Sequence, residues 1–245
     1  MVTAHGSDSK QSHGDAPVAA HDPGSVRLSE GGLRRVLIDA ALELVEASGT
    51  RGLSWREIAR KARVSHNAPY RHFANKEELL AAVAEQGFRS LTRRMIDEMA
   101  GVPDDVARQL EAMAVAYVEF ATENPAHFRV MFGRDVPDID KHSALREAHD
   151  VAVGLFRSGV TEVVGEVGPI GSQIDVDTFA LMAWSLVHGL ASLTVDARVG
   201  DIRESAGRPS DHILSMTALV GTLIEAMRPG EFEPNQSAPT GESRT

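Results

Sequence analysis

Residues 53–76, LSWREIARKARVSHNAPYRHFANK, decide the fold. Ser54 is followed three positions on by Glu57, the Ser-x-x-Glu capping box in which each side chain satisfies a backbone N–H that the first helical turn leaves unpaired. A helix is therefore expected here, with Trp55, Ile58, Ala59 and Ala62 along one face and Arg56, Glu57, Arg60 and Lys61 largely off it. After Ala62 the chain must turn. Ser65 offers a second cap before a segment carrying His66, Asn67, Tyr70, Arg71 and His72, side chains suited to a surface that touches nucleic acid. Two short capped helices joined by a tight connection read as a helix-turn-helix.

Charge concentrates on the same stretch. A net charge of −10 over 245 residues argues against a polyanionic partner when taken as an average. Between Leu33 and Lys76, however, nine basic residues stand against four acidic ones, a net of +5 that leaves −15 for the rest of the chain. The implied organisation is a small basic reader of phosphates attached to an acidic body that repels polyanions elsewhere. The chain has no cysteine, which excludes disulfides, thiolate zinc sites and thiol redox sensing. Its first residues, MVTAHGSDSKQSHG, lack the apolar core of a secretory signal, and no run of about 18 apolar residues is recognised in the sequence, so a soluble cytoplasmic protein is expected.

Working outward, residues 1–28 are rich in Ser, Gly, His, Asp and Pro and are expected to form a disordered tail. Leu33, Val36, Leu37, Ala40, Ala41, Leu44 and Val45 recur at helical spacing and predict a first helix closed by Gly49, so residues 29–76 form a three-helix DNA-binding domain. Its expected core includes Leu53, Trp55, Ile58, Val64, Tyr70 and Phe73. Residues 77–228 read as a larger helical body. Asn75 caps a fourth helix, with Glu78 three positions on, and places Lys76 at a helix N-terminus that favours a phosphate. Asp104 opens a fifth helix, Asn124-Pro125 a sixth, and the region from Asp140 to Val167 a seventh in which glycines 154, 159 and 165 weaken the helix or mark close packing. An eighth, begun by Asp175 or Asp177, is apolar on almost all sides and is expected to be buried. Ser210 caps a ninth that ends at Pro229, and 229–245 are a polar tail. No segment alternates with period two, so the fold class is all-α with about nine helices.

The run Tyr70-Arg71-His72-Phe73-Ala74-Asn75-Lys76, closing a three-helix head, resembles the Tyr-x-His-Phe-x-x-Lys pattern of TetR-type transcriptional regulators, and the likeness spans about Leu33 to Leu80. The body resembles the subgroup with a Trp, a His and a Gly on its eighth helix, here Trp184, His188 and Gly189, preceded by Asn124-Pro125-Ala126-His127-Phe128-Arg129-Val130-Met131-Phe132. The resemblance implies a homodimer joined through the last two helices, one recognition helix per subunit in the major groove of double-stranded operator DNA, and an effector cavity in the body. By position it implies that His66, Asn67 and Ala68 face base edges with Arg56, and that Tyr70, His72 and Lys76 hold phosphates; Ser54, Ser65 and Arg71 complete the expected DNA-binding set. The chemistry agrees, since Asn pairs with adenine, Arg with guanine, and an Ala methyl meets a thymine methyl. In one place the chain departs from the pattern: Arg63 stands in the turn where the family usually has Gly, and such a turn often needs a positive φ.

For the effector, apolar or aromatic, the expected lining is Met113, Tyr117, Phe120, Phe128, Met131, Phe156, Trp184 and His188, although such residues at helical spacing also fill cores and His188 also reads as a satisfied buried histidine. Two other functions compete. His149-Asp150, with His127, His142 and Asp177, superficially resembles the metal site of helical phosphohydrolases. An architectural DNA-binding protein is the other, and the acidic body argues against it. The reading adopted is a regulator, a repressor by family prior, without catalytic residues, cofactor or metal.

Overall fold

In the computed structural model, residues 30–133, 135, 137–167, 175–197, 211, 212, 214, 215 and 218 are described. Among them are seven α-helices and no strand: α1 (Glu30–Ser48), α2 (Trp55–Lys61), α3 (Lys76–Ala100), α4 (Val106–Glu123), α5 (Pro125–Phe132), α6 (Ser143–Val167) and α7 (Val176–Val195). The expected N-terminal tail, the C-terminal tail and most of the ninth helix lie outside the described residues. The expected recognition helix differs in kind. After Ser65 the chain forms turns and a single 3-10 turn at Pro69–Arg71, in which Ala68 N–H donates to the Ser65 carbonyl at 2.9 Å and His72 N–H to that of Pro69 at 3.0 Å. Pro69 has no N–H to continue an α ladder, and the short i to i−3 bonds take its place.

The caps that frame these elements follow from the side chains, with shifts. Ser54 Oγ accepts from Glu57 N–H at 3.2 Å, but Glu57 takes the serine hydroxyl at 2.8 Å and not the Ser54 N–H, so half of the expected box forms. At α3, Asn75 Oδ1 accepts from Glu78 N–H at 2.8 Å while Glu78 takes the N–H of Ala74, one residue before the cap, at 2.6 Å, a box displaced by one position. Asp105, not Asp104, caps α4. Asn124 is the N-cap residue of α5, as expected, but without a side-chain cap bond: its amide donates back to the Phe120 carbonyl at 3.1 Å and closes α4. Asp175 caps α7 through Thr178 N–H at 2.6 Å.

Arg63 adopts φ 55. Its N–H donates to Arg60 and the next, of Val64, to Ala59, the paired bonds of a Schellman motif with Arg63 as its left-handed residue. A side chain there costs about 1–2 kcal/mol that glycine avoids. Arg63→Gly is therefore expected to raise unfolding stability by about 1 kcal/mol and Arg63→Ala to leave it unchanged. Guanidinium melts of the two variants test this, and a lower midpoint for the glycine would contradict the left-handed turn.

Packing joins head to body through α3 and α5. In the head, α1 packs on α2, and its Leu37, Ile38, Ala41 and Val45 join Leu53, Ile58, Phe73 and Leu79 in the buried core. α3 runs on between α4, α5 and α6, while α7 lies on α4 and α6 and α1 also reaches α5. Gly87 permits the α3–α5 approach: a Cβ there would sit 2.4 Å from Met131 Sδ. Gly159 does the same for α6 against Met113 Cε at 2.5 Å, whereas a Cβ on Gly154 or Gly165 would meet nothing within 4 Å. Arg94 on α3 ties α4 by gripping Glu119 and Glu123, and that grip holds the Glu123 carboxyl below the usual carboxylate range. α7 corrects two expectations. It is long and apolar enough to cross a membrane by length and composition, where the sequence alone is read as holding no such run. It is also not buried all round: Val187, Leu190 and Ala191 pack inward, while Leu181 is 62 % exposed and Met182 47 %.

Candidate DNA-binding face and effector cavity

The surface of residues 54–76 is assembled from α2, the Arg63 turn and the 3-10 turn. Arg56, Arg60, Arg63, Ser65, His66, Asn67, Arg71 and Lys76 are exposed, and among the described residues no carboxylate pairs with any of these arginines or with Lys76. Lys61 differs, being bound to Glu43. Tyr70, 51 % exposed, leans on Trp55 at 5.4 Å between ring centroids and stands edge-to-face with His66 at 6.1 Å. His72 is half-buried. Two expected contacts are placed otherwise. Ala68 is 8 % exposed, so its methyl belongs to the core and not to a base-reading edge, and the Ser54 hydroxyl is engaged by Glu57.

A cavity of about 110 Å³ lies where α3, α4, α6 and α7 converge. Four expected residues line it: Met113, Tyr117, Phe156 and Trp184. Phe120, Phe128 and Met131 are buried elsewhere in the core, and His188 stands behind the wall. Sequence reasoning missed Phe88, Leu91 and Met95 on α3, Phe132 at the end of α5, Ala114, Val187, and Ala152, Val153 and His149 on α6. The α3 residues carry a signal, since their spacing repeats one helical face, but in one dimension that face reads as plain core.

The polar groups around the cavity are largely tied to one another. Tyr117 and His188 Nδ1 are 2.8 Å apart, and the imidazole lies between the rings of Trp184 at 4.9 Å and Phe128 at 5.4 Å. Burial pushes the His188 pKa down, which favours the neutral ring that accepts the phenol proton. Burial likewise pushes Tyr117 well above the ordinary tyrosine value, with the Trp184 indole acting weakly the other way. The residues of the competing metal reading do not meet. Among the described residues no three His, Asp or Glu side chains are grouped to hold a metal; His127 packs near Phe120 and Gly87, His142 faces Glu77, and Asp177 binds Arg157.

Comparison with known proteins decides the family. An uncharacterized HTH-type transcriptional regulator of Bacillus subtilis, YobS, is 30 % identical over 198 residues, covering 79 % of this chain and 92 % of that one. The family described as bacterial regulatory proteins, tetR family, matches residues 37–83, and the tetracyclin repressor-like C-terminal domain matches 110–217. The chain belongs to the TetR family. This TetR-family chain is thus a DNA-binding transcriptional regulator with a helix-turn-helix head. Among solved structures, a Rhodococcus protein of unknown function is similar at 29 % identity and TM-score 0.67, covering 85 % of this chain and all of that one. The TetR-family regulator PfmR of Thermus thermophilus shares the fold at 17 % identity and TM-score 0.57, over 75 % and 96 %. FadR of Bacillus subtilis, solved with stearoyl-CoA, shares it at 17 % identity and TM-score 0.55, over 80 % and 98 %.

Proposed function

We propose that this chain is a ligand-responsive cytoplasmic repressor that binds a palindromic operator as a homodimer and leaves it when an apolar or aromatic effector enters the cavity. The observation that carries this reading is the double use of α3. Its first residue, Lys76, abuts the recognition segment, and its Phe88, Leu91 and Met95 form one cavity wall. An effector wedged against those side chains tilts α3, and the tilt changes the spacing of the two heads. Thermodynamically the effector must bind the DNA-incompetent arrangement more tightly, or it shifts nothing. A long acyl chain of the kind held by the Bacillus FadR does not suit about 110 Å³; a compact ligand does.

On the head, Arg56, His66 and Asn67 are assigned to base edges and Tyr70, Arg71, Lys76 and the half-buried His72 to phosphates, on the strength of the exposure of all but His72 and of the charge left unpaired on Arg56, Arg71 and Lys76. Footprinting on the DNA flanking the chain's own gene, with and without apolar ligands, tests the repressor reading; sequence-independent protection would end it. On the mapped operator, Asn67→Ala is expected to relax base preference at one position by about 1–3 kcal/mol. Lys76→Ala is expected to weaken all sequences alike and to reduce the salt slope by about 1. If both variants weakened every sequence equally, the division between readers and anchors would be wrong.

A further inference from the structure

The effector cavity also carries a chemical preference, an inference that rests on the cavity reading above. Of its lining side chains only Tyr117, Trp184 and His149 bear nitrogen or oxygen. Tyr117 is spent on His188, and the Trp184 indole acts on that same phenol oxygen. His149 remains. Its Nδ1 is 3.0 Å from Asp150 Oδ1, and no partner for its Nε2 exists among the described residues. The edge-on contact with Phe88, 5.3 Å between centroids, fixes the plane of the ring. In the tautomer that donates its Nδ1 proton to Asp150, Nε2 carries a lone pair, an acceptor among otherwise apolar lining.

Size narrows the ligand further. An apolar cavity of about 150 Å³ admits benzene, so about 110 Å³ confines the ligand to a single small ring without bulky substituents. The Phe88, Phe132 and Phe156 rings supply the faces and edges against which such a ring packs. The acidic body disfavours an anionic ligand. We propose that the effector is a single-ring phenol whose hydroxyl donates to Nε2 of His149, with Asp150 as the positioning residue that sets the tautomer.

Calorimetric titration of the full chain with phenol, anisole and benzoate tests the assignment. The wild type is expected to bind phenol about tenfold more tightly than its methyl ether, the effect of one net hydrogen bond. His149→Phe is expected to erase that preference by weakening phenol while retaining anisole, which also reports an intact cavity. Asp150→Ala, at an exposed position, is expected to narrow the preference without affecting the ether; an unchanged ratio would remove Asp150 from the proposal. Equal binding of phenol and anisole, or a preference that survives His149→Phe, overturns the phenol assignment and leaves the cavity standing. Tighter binding of benzoate overturns it in favour of an imidazolium reading an anion. Failure of all three ligands to bind overturns the cavity reading with it.

Discussion

Placing glutamate at both Leu181 and Met182 is expected to turn the regulator into a monomer and to lower its operator affinity by at least about 100-fold. Both side chains project from α7, 62 % and 47 % exposed, and Thr178 and Ser185 continue the same exposed stripe at helical spacing. A stripe led by Leu and Met on a helix this apolar is stable in water only when something covers it. The proposed cover is the equivalent face of a second copy, because a two-fold contact brings like surfaces together. Burying an unpaired carboxylate in such a contact costs several kcal/mol per ion, and the paired substitution doubles the insult on each subunit. Because the positions are exposed in the single chain, the helix itself tolerates glutamate, so circular dichroism should be unchanged while sedimentation equilibrium reports one subunit. DNA affinity falls because two tethered heads gain effective concentration at the second half-site, and a lone head does not. A variant that stays dimeric and binds DNA normally would move the interface away from this face of α7.

How far the sequence reaches is best judged from particular residues. Helical spacing locates every described α-helix, because an amphipathic stripe is imposed by burial and survives in one dimension as periodicity. The same logic fails at 65–72. Spacing there allows a helix, but Pro69 withholds a donor and the 3-10 turn results. Arg63 is legible for a different reason: the tight turn needs φ above zero whatever residue occupies it, and the strain at φ 55 is the consequence. Periodicity does not distinguish a face that packs from a face that borders a void. Phe128 and Met131 therefore read as lining and are core, while Phe88, Leu91 and Met95, at the spacing of an ordinary packed face, line the cavity. Likewise His149, grouped in sequence with histidines that turn out to be distant, gains its meaning from the cavity it faces.

The second large effect falls on Phe73. In the sequence pattern this residue sits between groups assigned to DNA, yet it is 1 % exposed and ranks among the largest fully buried side chains. Its backbone N–H donates to the Pro69 carbonyl at 3.0 Å within the segment, and Arg34 of α1 covers its ring at 5.2 Å, so this buried side chain fastens the recognition segment to α1 and the head core. Phe73→Ala removes that fastening at a typical cost of about 3–5 kcal/mol, a large share of the roughly 5–15 kcal/mol that holds a domain. The melting temperature should fall by roughly 6–20 °C at about 2–4 °C per kcal/mol, and operator binding should be lost with it. His72→Ala provides the contrast. Half-buried and adjacent in sequence, it should cost about 1 kcal/mol, the centre for point substitutions, and move the melting temperature by no more than about 4 °C, while still weakening the operator complex. A melting temperature for Phe73→Ala within about 2 °C of wild type would show that the recognition segment is held by something other than this core contact. Loss of DNA binding by either variant alone does not separate the two roles; the paired melting measurements do, because only a residue that holds the segment changes both.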